Sequence, residues 1–89
     1  MRKILKYKFS PLSTIARHMI PEVFVVRHVG IDPADGNSIA FWAQVDIDSE
    51  VVEVTVQLFG TGEEIPKGAQ YCGSVIMSGY VFHMCVMTE

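Results

Sequence analysis

No stretch of this chain is apolar for the roughly 20 residues that a bilayer-spanning helix needs, although hydrophobic residues fill 49% of its 89 positions. Charged residues are scarce at 19%, but so large an apolar fraction excludes disorder. Only two cysteines occur, Cys72 and Cys85, without a CxxC spacing, so a structural zinc site is not expected. His18, His28 and His83 are scattered, with no HxH or HxxxH pair; no metal site and no cofactor follow from them. No later Gly-Lys follows the glycines of Gly60-Thr61-Gly62, which excludes a Walker loop or a dinucleotide fingerprint. The opening MRKILKYKF is basic but has neither a long apolar segment nor a small-residue cleavage site, and it does not read as a signal peptide. The expectation is a soluble, cytoplasmic protein that does not engage a membrane.

Net charge is −3, which argues against a nucleic-acid polymer as partner. The charges are unevenly spread. Arg2, Lys3, Lys6, Lys8, Arg17 and Arg27 precede residue 28, and only Lys67 follows. In a β domain whose halves interleave, this predicts cross-strand pairing with the later acids, and secondarily a basic patch for a phosphate ligand.

What is present in quantity is strand-type sequence. Val51 to Phe59 alternates Val52, Val54, Val56 and Leu58 with Glu53, Thr55 and Gln57, the period of a strand with one buried face. Arg2 to Phe9 alternates likewise, Val23 to Gly30 is near-continuously apolar, and Ile39 to Asp46 sets Ile39, Phe41, Ala43 and Val45 against Ala40, Trp42 and Gln44. Tyr71 to Met77 and Tyr80 to Met87 flank Ser78-Gly79. Thr14 to Ile20 fits a strand or a short helix begun by Ser13, and a strand is favoured because helical period is absent elsewhere. Asp32 to Asn37 reads as a loop. Six or seven short antiparallel strands predict an all-β fold, a single small domain over residues 1–89 built as a β-sandwich or partly open barrel.

Chemistry-bearing residues are few. Gly60-Thr61-Gly62 permits positive φ twice, either for an ordinary turn or for a cradle of backbone N–H groups around an anion. A two-residue Ser78-Gly79 loop sets Ser74 opposite His83 and Cys72 opposite Cys85, the cysteines acting as small buried hydrophobes. A Ser–His pair with no acid behind it is weak grounds for catalysis, and no enzyme is expected. Trp42 lies on the less apolar side of its strand and offers a stacking surface. The candidate ligand-binding residues are Gly60, Thr61, Gly62, Trp42, His83, Lys6 and Arg17. Both faces of the last hairpin are mostly apolar, so it is either central in a sheet stack or covered by a second subunit, and a homo-oligomer is expected.

KILKY, Ile20-Pro21, FWAQVD, FGTGEEIP, YCGS and VFHMC resemble, in that order, a family of short phage-encoded proteins of unknown function. Its pattern has an ILKY start, a LWALVD-like strand, a GTGHPIP-like turn, a YIGT step and a VFH or FVWH ending. Glu63 departs from it, standing where the turn often has His. The resemblance implies a small non-catalytic phage protein. Two roles fit: sequestering a host immune signalling nucleotide, of cyclic or ADP-ribose type, or binding a host protein through a sheet edge or apolar face.

Overall fold

β-branched and aromatic residues at alternate positions favour extended chain over most of the sequence. In the computed structural model, which describes residues 1–87, they form β1 (Arg2–Phe9), β2 (Ile15–Pro21), β3 (Phe24–Asp32), β4 (Asp35–Asp46), β5 (Val51–Gly60), β6 (Ala69–Met77) and β7 (Tyr80–Met87). All pairings are antiparallel. One sheet has the order β1-β4-β3 and the other β2-β5-β7-β6. They stack as an open sandwich. Its Cα envelope is 39 × 33 × 18 Å, the shortest dimension suiting two sheets about 10 Å apart.

The core follows the alternation. Ile39, Phe41, Ala43 and Val45 of β4 are fully buried, and they share one cluster with Val54, Val56 and Leu58 of β5 and Met84 and Val86 of β7. Each large side chain so buried contributes about 1.5–3 kcal/mol. The stretch Thr14 to Ile20 is strand from Ile15 onward, as β2 runs Ile15–Pro21, and the all-β sandwich stands with seven strands.

Three local expectations are corrected. Residues 32–37 are not a loop, because β3 continues to Asp32 and β4 starts at Asp35, leaving Pro33-Ala34 as the turn. Asp32 accepts the Ala34 N–H at 2.9 Å and Asp35 accepts the Asn37 N–H at 3.1 Å, so side chains complete the tight reversal. Cys72 does not face Cys85. A bulge between Tyr71 and Gly73 slips the register, placing Tyr71 opposite Cys85 and turning Cys72 towards the core. Both cysteines are free, and burial raises both thiol pKa values. Lastly, only Gly62 of the glycine pair has positive φ, at 91°.

The other half of the hairpin register holds: Ser74 faces His83, Val75 faces Phe82 and Met77 faces Tyr80. Ser78 and Gly79 have φ of 53° and 80°, the pair of positive values that a type I′ hairpin demands.

β5 and β6 both pair with β7, so they run parallel, and residues 61–68 cross over β7 to join them. Gly60 is level with Phe82 while Ala69 is level with Met87. The crossover therefore travels back along the strand, and at its start Thr61 bonds His83 on the outer face. Phe59 and Cys85 point to that face by parity yet are 4% and 0% exposed.

Candidate functional site

The sandwich carries chemistry on both outer faces. On the four-stranded sheet, cross-strand register brings Phe59, His83 and Ser74 into one row. The His83 ring uses both nitrogens: Nδ1 is 2.6 Å from Ser74 Oγ and Nε2 is 2.8 Å from Thr61 Oγ1. Ser74 Oγ is in turn 2.7 Å from the Tyr71 hydroxyl. Thr61, His83, Ser74 and Tyr71 thus form one hydrogen-bonded line from the crossover to the sheet edge. A threonine hydroxyl, not a carboxylate, stands behind the imidazole. The turn beside it closes by a Glu63 N–H to Gly60 carbonyl bond of 3.1 Å, with Gly62 at the third position, as a type II turn requires. Glu63 also accepts the Gly60 N–H through its carboxylate at 2.9 Å. A protein carboxylate therefore occupies one donor that an anion cradle would have used.

Lys6 and Trp42 lie on the opposite side of the molecule. Parity and register set Arg2, Ile4, Lys6 and Lys8 of β1 beside Ala40, Trp42 and Gln44 of β4 on the outer face of the three-stranded sheet. β3 completes it. Its bulge between Val26 and His28 lets Arg27 and His28 share that face, His28 opposite Trp42. The His28 and Trp42 rings are 5.4 Å apart at 40°, and Arg27 donates through Nε to Gln44 Oε1 at 3.2 Å. Lys6 donates to Asp32 at 2.6 Å. That charge-assisted bond, followed by the one from Ala34, lowers the Asp32 pKa; Asp32 is only 1% exposed.

The expected cross-strand pairing is incomplete. Lys6–Asp32, Arg17–Glu53 at 3.6 Å, and the amino terminus with Asp46 and Asp48 are ion pairs. Arg2, Lys3, Lys8 and Arg27 form none among the described residues. Arg17 lies opposite Thr55 at the edge of the four-stranded sheet, remote from Trp42 in the other sheet.

Of the seven sequence candidates, Gly60, Thr61, Gly62 and His83 come together and Lys6 sits beside Trp42, but the two groups occupy opposite faces. Sequence reasoning missed Tyr71, which the bulge brings to Ser74, and His28, and it placed Arg2 and Arg27 only in a general basic patch. The signal for the two arginines was the excess of basic residues before residue 28, and it did not extend to His28.

Over residues 1–89 the chain matches a family described as Domain of unknown function (DUF7352). It belongs to that family. No curated protein and no solved structure matches it significantly. Five of the six short motifs that carry the sequence resemblance fall into the two surfaces just described, and the sixth, Ile20-Pro21, is buried at the end of β2. FGTGEEIP, YCGS and VFHMC meet at the Thr61–His83–Ser74–Tyr71 line, while KILKY and FWAQVD pair along β1 and β4, setting Lys6 opposite Trp42.

Proposed function

We propose that this chain is a non-catalytic binding protein that holds a small nucleotide-type ligand on the outer face of its three-stranded sheet. One observation carries the reading: the Trp42–His28 ring pair lies on the same face as Arg2, Lys8 and Arg27, cations without ion-pair partners among the described residues. A base stacked on an aromatic ring gains about 1–3 kcal/mol, and guanidinium groups suit phosphate. The Gly60–Glu63 turn drops out of the site, because Glu63 holds its N–H and adds negative charge.

The resemblance to short phage-encoded proteins supports a biological role in the host cytoplasm, sequestration of an immune signalling nucleotide of cyclic or ADP-ribose type. A flat sheet face retains a small ligand well only when a second surface covers it, so the reading includes a homo-oligomer. A thermal-shift panel of such nucleotides tests it. At a hundred times its dissociation constant, the right ligand stabilises the fold by about 2.7 kcal/mol. No shift with any member contradicts the reading.

A second reading is favoured by a separate observation. Tyr71, Ile76 and Val81 are 59%, 68% and 39% exposed on the outer side of the β6–β7 hairpin, with Ile76 directly opposite Val81. Apolar side chains grouped this way beside the fixed polar line suit a protein partner, either a host protein or a second copy. Co-purification of one host protein, together with a silent nucleotide panel, favours this reading.

A further inference from the structure

The ligand face is not uniform along its length, and its two ends differ in how their cations are used. At one end, Lys6 is tied to Asp32 at 2.6 Å, and Lys8 lies in the field of both Asp32 and Asp35. Lys6 is the one of these held in an ion pair among the described residues; Lys8 forms none, and Arg2 at the far end likewise forms none while lying opposite Asp46 and in its field. At the other end, Arg2, Lys3, Ile4, Arg27 and Gln44 line a shallow groove, and an adjoining depression is lined by Arg2, Arg27 and Gln44 together with Val25 and Asp46. Asp46 is the one carboxylate there, and its Oδ1 takes the Asp48 N–H at 3.0 Å and the amino terminus at 3.4 Å. Arg27 spends one donor on Gln44. Its terminal guanidinium nitrogens, and the whole guanidinium of Arg2, make no side-chain bond among the described residues.

Gln44 is two residues from Trp42 on β4, about 7 Å along an extended strand. That is the order of the span which a ribose puts between a base and its phosphate. Two guanidinium groups converging on one groove give the forked donor geometry that suits phosphate oxygens, which a lysine ammonium does not.

Resting on the nucleotide reading above, we propose that the Arg2–Arg27–Gln44 groove is a phosphate subsite: it takes the phosphate or pyrophosphate of a ligand whose base lies on Trp42 and His28. The ligand class narrows accordingly. A nucleoside phosphate with its phosphate at the end remote from the base fits the face, and a bare nucleoside binds more weakly by the loss of this contact.

The test uses inorganic pyrophosphate as its probe, followed by amide and side-chain NMR shifts on the full chain. Shifts centred on Arg2, Arg27 and the Gln44 side-chain amide, weakening at least tenfold in an Arg2→Gln/Arg27→Gln double variant of unchanged melting temperature, are expected. Shifts centred on the Gly60–Glu63 turn or on Lys8, or none at millimolar pyrophosphate, overturn the subsite. The two readings fail separately. Nucleosides that quench Trp42 while pyrophosphate moves nothing sink the subsite and leave the stacking face. Pyrophosphate shifts at Arg2 and Arg27, with no nucleotide altering Trp42 emission, keep the subsite and sink the nucleotide reading.

Discussion

His83 sits in the middle of the polar line on the four-stranded sheet, and its two ring bonds tie the crossover to β6. Neutral imidazole donates from one nitrogen and accepts at the other, and the Thr61 and Ser74 hydroxyls rotate to suit either arrangement. Thr61→Ala removes one bond, worth about 0.5–1.5 kcal/mol, with the lower end apt for an exposed site. A loss of that size lowers the melting temperature of a chain this long by a few degrees, at about 4–8 °C per kcal/mol. Ser74→Ala removes both the bond to His83 and the bond to Tyr71, so its melting temperature is expected to fall further than that of Thr61→Ala. Equal stability of wild type and both variants in thermal unfolding would show that the line contributes nothing. Half of this line was legible in the sequence. Hairpin parity alone set Ser74 against His83, because a two-residue loop fixes register. Thr61 was not legible as a His83 partner, since its place depends on how the crossover lies over β7.

Among the elements, the turn after β5 and the bulge in β6 separate two uses of glycine. Gly62 has φ of 91° with open space around it, so its need is conformational. Gly62→Ala is expected to cost about 1 kcal/mol or more through backbone strain. At Gly60 an added Cβ meets the Glu63 carboxylate oxygen at 2.9 Å, the far end of a flexible side chain that can swing aside. Gly60→Ala is therefore expected to be the milder change in paired melting curves, and the reverse order contradicts this account of the turn. Gly73 differs from both. A Cβ there would come within 2.9 Å of Val29 Cγ2 and 3.1 Å of its Cβ, so β6 approaches β3 closely only because the side chain is absent. Gly73→Ala is expected to cost about 1–3 kcal/mol, as overpacking in a tight core does, and a Val29→Ala change alongside it should recover part of that loss. No recovery in the double variant would show that the contact is not the cause. The bulge escaped the sequence reading for the same reason. Strict alternation from Ser78-Gly79 counts residues along one hairpin, whereas the slip at Cys72 answers to a strand of the other sheet.

At the scale of the whole molecule, charge is sorted by face more than by pair. Six of the seven basic residues precede residue 28, and the antiparallel order β1-β4-β3 gathers Arg2, Lys6, Lys8 and Arg27 on one outer surface. Composition signalled the excess, but the sheet order that collects it was not readable from one chain. Acid stability follows from the same side chains. Bonds from Lys6 to Asp32, from Ser38 to Asp35 and from the Asp48 backbone to Asp46 hold these three carboxyls below their ordinary value near 3.8. Groups more acidic when folded stabilise fully above the unfolded value and lose that contribution as pH falls through the folded one. Melting temperature is accordingly expected to be flat in this respect above about pH 5 and to drop below about pH 4. An Asp32→Asn variant should show a shallower acid drop, and an identical acid profile would exclude Asp32 as a source.

The central claim is that the outer face of the three-stranded sheet binds a nucleotide around Trp42. Trp42 is the one tryptophan in the sequence, so its emission reports on that face and no other. The deciding measurement is a fluorescence titration of the full chain with ADP-ribose and with cyclic nucleotides, at low and at moderate salt. The account predicts saturable quenching by at least one of them, weakened by added salt as the cations are screened and weakened by Arg27→Gln. Nucleotide binding seen by calorimetry with Trp42 emission unchanged would contradict it, as would emission unmoved by every nucleotide tried.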